Sequence, residues 1–376
     1  MAGIYIHVPW CRKVCIYCDF HFSVSVRNKD ALLECLLKEL EIQKDYLGGE
    51  DIESVYFGGG TPSVLSYEEV NRMLSRIKAL FNVVENAEIT LEANPDDLST
   101  QYLEQLGKAG INRLSIGVQS FHDDDLKWMN RRHDGNMSKQ SVENSIKAGF
   151  KNISIDLIYG LPGMDAKKWH RNLITALSSG IQHISAYHMT LENKTVYASR
   201  VKRGILKKPD EAAGLKQYEM LINMAVDRGF MHYEISNFCL PGYISHHNTS
   251  YWLGKPYLGI GPSANSFNRE SRQWNIRNNS KYIEEINRGD IPFSFEKLSL
   301  NDRYNEYVLT SLRTVWGADI KSIARNFGQL FRNHFEKEAG RLVSEGKLEI
   351  NNNTYTISQS GKFFADGIIS DLFITG

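Results

Sequence analysis

The chain has no excess charge of either sign, with 44 Lys plus Arg against 44 Asp plus Glu in 376 residues. That removes any broad electrostatic case for binding nucleic acid or anionic lipid, though not local patches. No apolar run approaches the ~20 residues that a membrane span needs. The opening, MAGIYIHVPW, lacks both the basic start and the long apolar centre of a secretory signal. The expectation is a soluble, cytoplasmic protein. Cysteine is scarce, at five residues that cannot all pair. In a reducing cytosol such a set points to metal binding or redox chemistry rather than a disulfide framework. Repeats and low-complexity segments are absent as well.

What is present is an alternation. Short β-branched or apolar runs stand at 4–8, 54–57, 88–93, 113–118, 153–159 and 183–189. Helix-length amphipathic stretches lie between and after them, at 29–46, 66–81, 99–109, 138–148, 166–179 and 211–228. In the second, Val70, Leu74 and Ile77 recur at helical spacing. Strand–helix alternation with apolar strands predicts a parallel sheet joined by right-handed crossovers. Six such units suit an α/β fold of the partial (β/α)6 barrel type, with a doubly wound open sheet as the competitor. The rhythm breaks after about 235. Residues 236–298, rich in Gly, Pro, Asn and aromatics, read as a connecting segment of loops and short strands. Residues 299–376 read as a helical, winged-helix-like domain ending in a strand pair and a final helix. With 42% hydrophobic residues, a chain of this length fits about two domains.

The informative stretch is CRKVCIYCDF. Cys11, Cys15 and Cys18 are spaced C-x3-C-x2-C and follow the first strand directly. Three thiolates suit zinc or an iron–sulfur cluster. Zinc would want a fourth ligand, which His7 or His21 could supply. A cubane held by three cysteines would instead keep one iron open for a substrate or cofactor. The cysteines would occupy a βα loop, the face where barrel active sites gather.

YIHVPWCRKVCIYCDF resembles the cluster motif of the radical S-adenosylmethionine (SAM) superfamily. More narrowly, it resembles the oxygen-independent coproporphyrinogen III oxidase family. The resemblance implies a [4Fe–4S] cluster on Cys11, Cys15 and Cys18 whose open iron chelates SAM. It also implies SAM contacts at strand ends, each matching the family motif: Gly59, Gly60 and Thr61 in FGGGTPS, Glu92 in TLEANP, Gln119 in GVQSF, Arg131 in MNRRHD and Asp156 in SIDLIYGLPG. Tyr5 and Tyr17 match SAM-packing aromatics. Arg132 reads as a solvated neighbour of Arg131.

Two departures separate the chain from the oxidases. Phe20 stands where those carry a further cysteine, and Cys11 is already near the start, where they carry an extension. HNTSYW, residues 247–252, matches the H-N-x-x-Y-W motif of the family's heme-chaperone branch. That branch binds heme and hands it to acceptor hemoproteins such as respiratory-chain proteins. The resemblance thus implies heme as a third ligand, with His247 as its axial contact and Tyr251 and Trp252 against the porphyrin. The neutral charge argues for no nucleic-acid partner, and the two departures put coproporphyrinogen decarboxylation in doubt, leaving the oxidase as the alternative. A homodimer and peripheral membrane contact stay open.

Overall fold

The computed structural model describes residues 1–375. Six parallel strands run in sequence order: β1 (Ala2–Val8), β2 (Ile52–Gly59), β3 (Val83–Ala93), β4 (Arg113–Gln119), β5 (Ile153–Tyr159) and β6 (His183–His188). Helices cross between them, among them Lys29–Ile42, Tyr67–Leu80 and Ala166–Leu177. The second of these shows why the pattern folds locally. Ser66 accepts a hydrogen bond from the Glu69 N–H, and the Glu69 carboxylate accepts one from the Ser66 N–H. That reciprocal cap is worth about 1 kcal/mol. Val70, Met73, Leu74 and Ile77 form the buried stripe against the sheet.

The segment after 230 adds to both sides of this sheet. β7 (Met231–Glu234) and β8 (Asn237–Cys239) extend it beyond β6 as antiparallel strands. β9 (Tyr257–Ile260) pairs parallel with β1, so seven adjacent strands are parallel rather than six. β10 (Asn265–Phe267), β11 (Ser271–Asn275) and β12 (Phe293–Lys297) then continue the sheet antiparallel to its far edge. The four-residue β9 has no helix-length pattern to announce it, which is why the strand–helix rhythm missed it. Glu39 anchors this extension to the first crossover helix. Its buried carboxylate accepts from Tyr282, Asn275 Nδ2, the Gly261 N–H and Gln43. Burial pushes its pKa up to about 7.

The sheet and its helices share one hydrophobic core, in which Cys35 lies buried beside Leu36. A second core lies beyond it, built on Tyr304, Val308, Phe335, Leu342 and Ile369. Helices Leu300–Leu312, Ile320–Phe327 and Gln329–Ser344 surround it. The small sheet of β13 (Ala318–Asp319), β14 (Leu348–Asn351) and β15 (Thr354–Ile357) completes the winged-helix-like arrangement. No helix among the described residues is long and apolar enough to cross a membrane.

Candidate metal centre and cofactor cavity

The loop between β1 and helix Lys29–Ile42 is fixed by its neighbours. The Cys11 N–H bonds the Ser23 carbonyl at 3.0 Å, and the Ile16 N–H bonds that of Met129 at 3.2 Å. Asn130 Nδ2 donates to the Val14 carbonyl at 2.7 Å. Beneath the loop, buried His7 donates from Nε2 to the His21 carbonyl at 3.0 Å and accepts from the Tyr5 hydroxyl at 3.2 Å. The three thiols are therefore held in place by protein contacts alone. Burial pushes the Cys18 thiol up to about 12, the other two thiols adding to that. Burial raises Cys11 as well, while a hydrogen bond from Thr61, 3.4 Å away, eases it. Such a trio becomes anionic only against positive charge, which a metal centre supplies. The thiols face a shared cavity of 570 Å³, and their soft sulfur donors fit an iron–sulfur cluster.

That cavity lies at the C-terminal ends of the strands. Of the residues expected to hold the cluster or SAM, all but Tyr5 line it: Cys11, Cys15, Tyr17, Cys18, Gly59, Gly60, Thr61, Glu92, Gln119, Arg131 and Asp156. Gly59 has φ +113°, and a Cβ there would sit 2.6 Å from the His7 ring. At Gly60 a Cβ would sit 2.7 Å from the Trp10 carbonyl. Only glycine fits where this turn meets the cluster loop. Gln119 adopts φ 65° at an irregularity in the β4–β5 register, a sparsely populated conformation for a side-chain-bearing residue. Glu92 accepts from the Tyr56 hydroxyl at 2.8 Å and the Gly59 N–H at 3.2 Å. Burial lifts it to about 7, with Asp156 adding repulsion, and burial lifts Asp156 to about 6. Ser115 donates to Asp156 at 3.2 Å.

Arg131 is tied down more than its sequence context suggested. Its Nη2 donates to the Gly117 carbonyl at 2.7 Å and to Asn94 Oδ1 at 2.6 Å, and Nη1 points at Cys15 Sγ from 3.5 Å. Its Nε has no partner. Arg132 is not merely solvated, since it pairs with Asp96 at 3.1 Å. Asn94 and Asn130 are the residues bonded to the site that sequence reasoning missed. Asn94 joins Arg131 to Thr61, the latter at 3.4 Å. Asn130 reaches the cluster loop from φ 63°, a conformation that asparagine tolerates. An asparagine beside each motif residue was the only available signal.

His247 and Tyr5 lie elsewhere, below the cavity. The helix His246–Trp252 closes the N-terminal end of the barrel. Glu88 accepts from the His246 and His247 N–H groups, both at 3.0 Å. His247 is 2% exposed. Its Nδ1 bonds Ser54 Oγ at 2.8 Å and its Nε2 bonds the Tyr251 hydroxyl at 2.8 Å. The ring stacks on Tyr56 at 4.9 Å, and Tyr5 completes the layer. Both imidazole nitrogens are thus taken and the ring is buried, so this arrangement offers no open nitrogen to an axial partner. Tyr251, four residues on, shares the face of His247. Trp252 turns away and takes the Arg313 guanidinium over its ring at 5.4 Å. Tyr5 likewise is a layer residue under the cavity rather than a wall of it.

With this geometry in view, two family models match the chain: "Radical SAM superfamily" over residues 5–173 and "HemN C-terminal domain" over 298–364. The heme chaperone HemW of Bacillus subtilis is 32% identical, with 98% of each chain covered. HemW of Lactococcus lactis is 35% identical over 91% of this chain and 88% of its own. The chain belongs to the HemW family of the radical SAM superfamily. The solved Escherichia coli coproporphyrinogen III oxidase, HemN, matches with TM-score 0.85, covering 99% of this chain and 90% of that one. At 22% identity this likeness shows the radical SAM fold and no more. In this member of the HemW family the thiol loop and glycine turn stand on the rim, and the helix His246–Trp252 forms the floor.

Proposed function

We propose that the chain is a cytoplasmic heme chaperone. It holds a [4Fe–4S] cluster and SAM in the rim cavity and passes heme to acceptor hemoproteins. The observation that carries the reading is the shared cavity, where three thiols meet the Gly59–Thr61 turn, Glu92 and Arg131. When bound, the cluster supplies an open iron and one electron to SAM. The chain's own residues do the rest. The Gly59–Thr61 turn lets backbone approach the SAM amino end, and Arg131, which lines the cavity, sets its guanidinium charge toward the carboxylate. Glu92 and Asp156 accept from ribose hydroxyls, and Tyr17 packs against the adenosyl group. Phe20, 67% exposed, lines the cavity with Phe22, an apolar surface suited to a porphyrin.

Coordination by His247 requires the helix His246–Trp252 to leave the floor. It would exchange the bonds to Ser54 and Tyr251 for heme iron. Heme uptake should therefore be slow and limited by that opening. The test is hemin added to anaerobically reconstituted protein, followed by an apo-hemoprotein as acceptor. A Soret band weakened by H247A and transferred to the acceptor supports the reading. A band sensitive to Phe20→Asp but not to H247A moves the heme to the rim. Conversion of coproporphyrinogen, with no heme transfer, would replace the chaperone with an oxidase.

A further inference from the structure

One stretch of this neutral chain is strongly one-signed. Between Lys194 and Lys208 stand six cations and no acid: Lys194, Arg200, Lys202, Arg203, Lys207 and Lys208. All six are exposed. None forms an ion pair among the described residues, whereas cations elsewhere commonly do, such as Arg72 with Glu34 and Arg341 with Asp371. Glu192 and Asp210 bound the stretch at its ends.

This patch is backed directly onto the cluster loop. Its helix, Val196–Lys202, buries Tyr197 against Trp128 at 5.2 Å. The Tyr197 N–H donates to the Ile16 carbonyl at 2.8 Å, between Cys15 and Cys18. The Tyr197 hydroxyl donates to the Lys207 carbonyl at 2.8 Å, tying the basic loop to the same helix. Exposed Lys13 adds a further cation at the cavity mouth. A partner resting here comes close to the thiols without entering the cavity.

We propose that this surface docks an acidic electron-donor protein that reduces the cluster. The inference rests on the cluster reading above. One electron leaves the reduced donor, which is oxidised by one, and the cluster gains it; no bond or proton is exchanged. Unpaired cations around the approach steer an acidic partner and raise its on-rate at low salt. An anionic membrane is the less favoured occupant. Among the described residues Val196 and Ile205 are the large apolar side chains of the stretch that stand exposed, and a membrane-lying segment needs a broader apolar face.

The test uses the full reconstituted chain and the variant K202E/R203E/K207E/K208E. Reduced flavodoxin serves as the acidic protein probe and photoreduced deazaflavin as a neutral small reductant. Wild-type reduction by flavodoxin should slow as salt is raised. The variant should react at least about tenfold more slowly at low salt and lose the salt dependence, while deazaflavin reduces both equally. Flavodoxin binding to the cluster-free chain, read by anisotropy, should weaken in the same variant. Equal flavodoxin rates for the two proteins would overturn the proposal. So would binding to phosphatidylglycerol vesicles that the variant loses, with flavodoxin rates unchanged. Protein that deazaflavin cannot reduce, and that lacks sulfide, would instead sink the cluster reading on which it rests.

Discussion

The rim and the floor of the barrel are built from similar residue types and do opposite things with them. On the rim, thiols, carboxyls and an arginine border open volume; Arg131 and Glu92 hold protein partners there, but Arg131 Nε has none. On the floor, His247 has both nitrogens satisfied, and Glu88 caps its helix. A polar cluster in the sequence looks the same in either case. Partner saturation decides which one is poised for a ligand.

Several substitutions would break or sharpen that contrast. The largest expected effect is on the rim. Cys18→Ser should abolish sulfide binding in anaerobic reconstitution, yet leave the stability of the cluster-free chain within about 1 kcal/mol. His247→Ala should do the reverse. It strands Ser54 and Tyr251 and opens a void, costing roughly 2–4 kcal/mol in urea unfolding, with iron per folded molecule unchanged. An unaltered midpoint would mean the floor is not closed. Gly59→Ala falls between the two regions. The left-handed backbone and the His7 ring should cost roughly 1–3 kcal/mol, and SAM binding by calorimetry should weaken.

The smallest effect is a pH profile. Burial holds His7 and His133 near 4, and His232 and His247 near 3. Unfolded, each takes its proton near 6.5. The stability each contributes is therefore full above about 6.5 and is lost as pH falls toward 4 or 3. Glu39 and Glu92, near 7, and Asp156, near 6, oppose this. Folded, they keep protons that the unfolded chain releases above about 4, so they stabilise as pH falls from 7. Unfolding of the cluster-free chain should vary little from pH 7 to about 4.5 and weaken steeply below. H247A should soften the lower limb, and an unchanged slope would place His247 in water.

The six parallel strands were legible because apolar runs and amphipathic helices alternate with the period that a barrel requires. The rim was legible for the same reason, since strand ends converge and the motif residues stand at strand ends. The floor was not. His247 to Trp252 spans seven residues with His246, too short for periodicity to reveal which face each side chain takes. Its partners Ser54 and Glu88 lie more than 150 residues away. Helices Asp123–Trp128 and Val196–Lys202 escaped the pattern for the same reason of length. Asn94 acts through two side-chain hydrogen bonds and Asn130 through one, and none of them leaves a periodic trace.

Electron paramagnetic resonance of the reduced, reconstituted protein before and after adding SAM tests the rim most directly. A [4Fe–4S] signal whose g-values move on SAM addition, and which is lost in Cys18→Ser, is the predicted result. A protein carrying one zinc, no sulfide and no SAM-responsive signal would contradict the account.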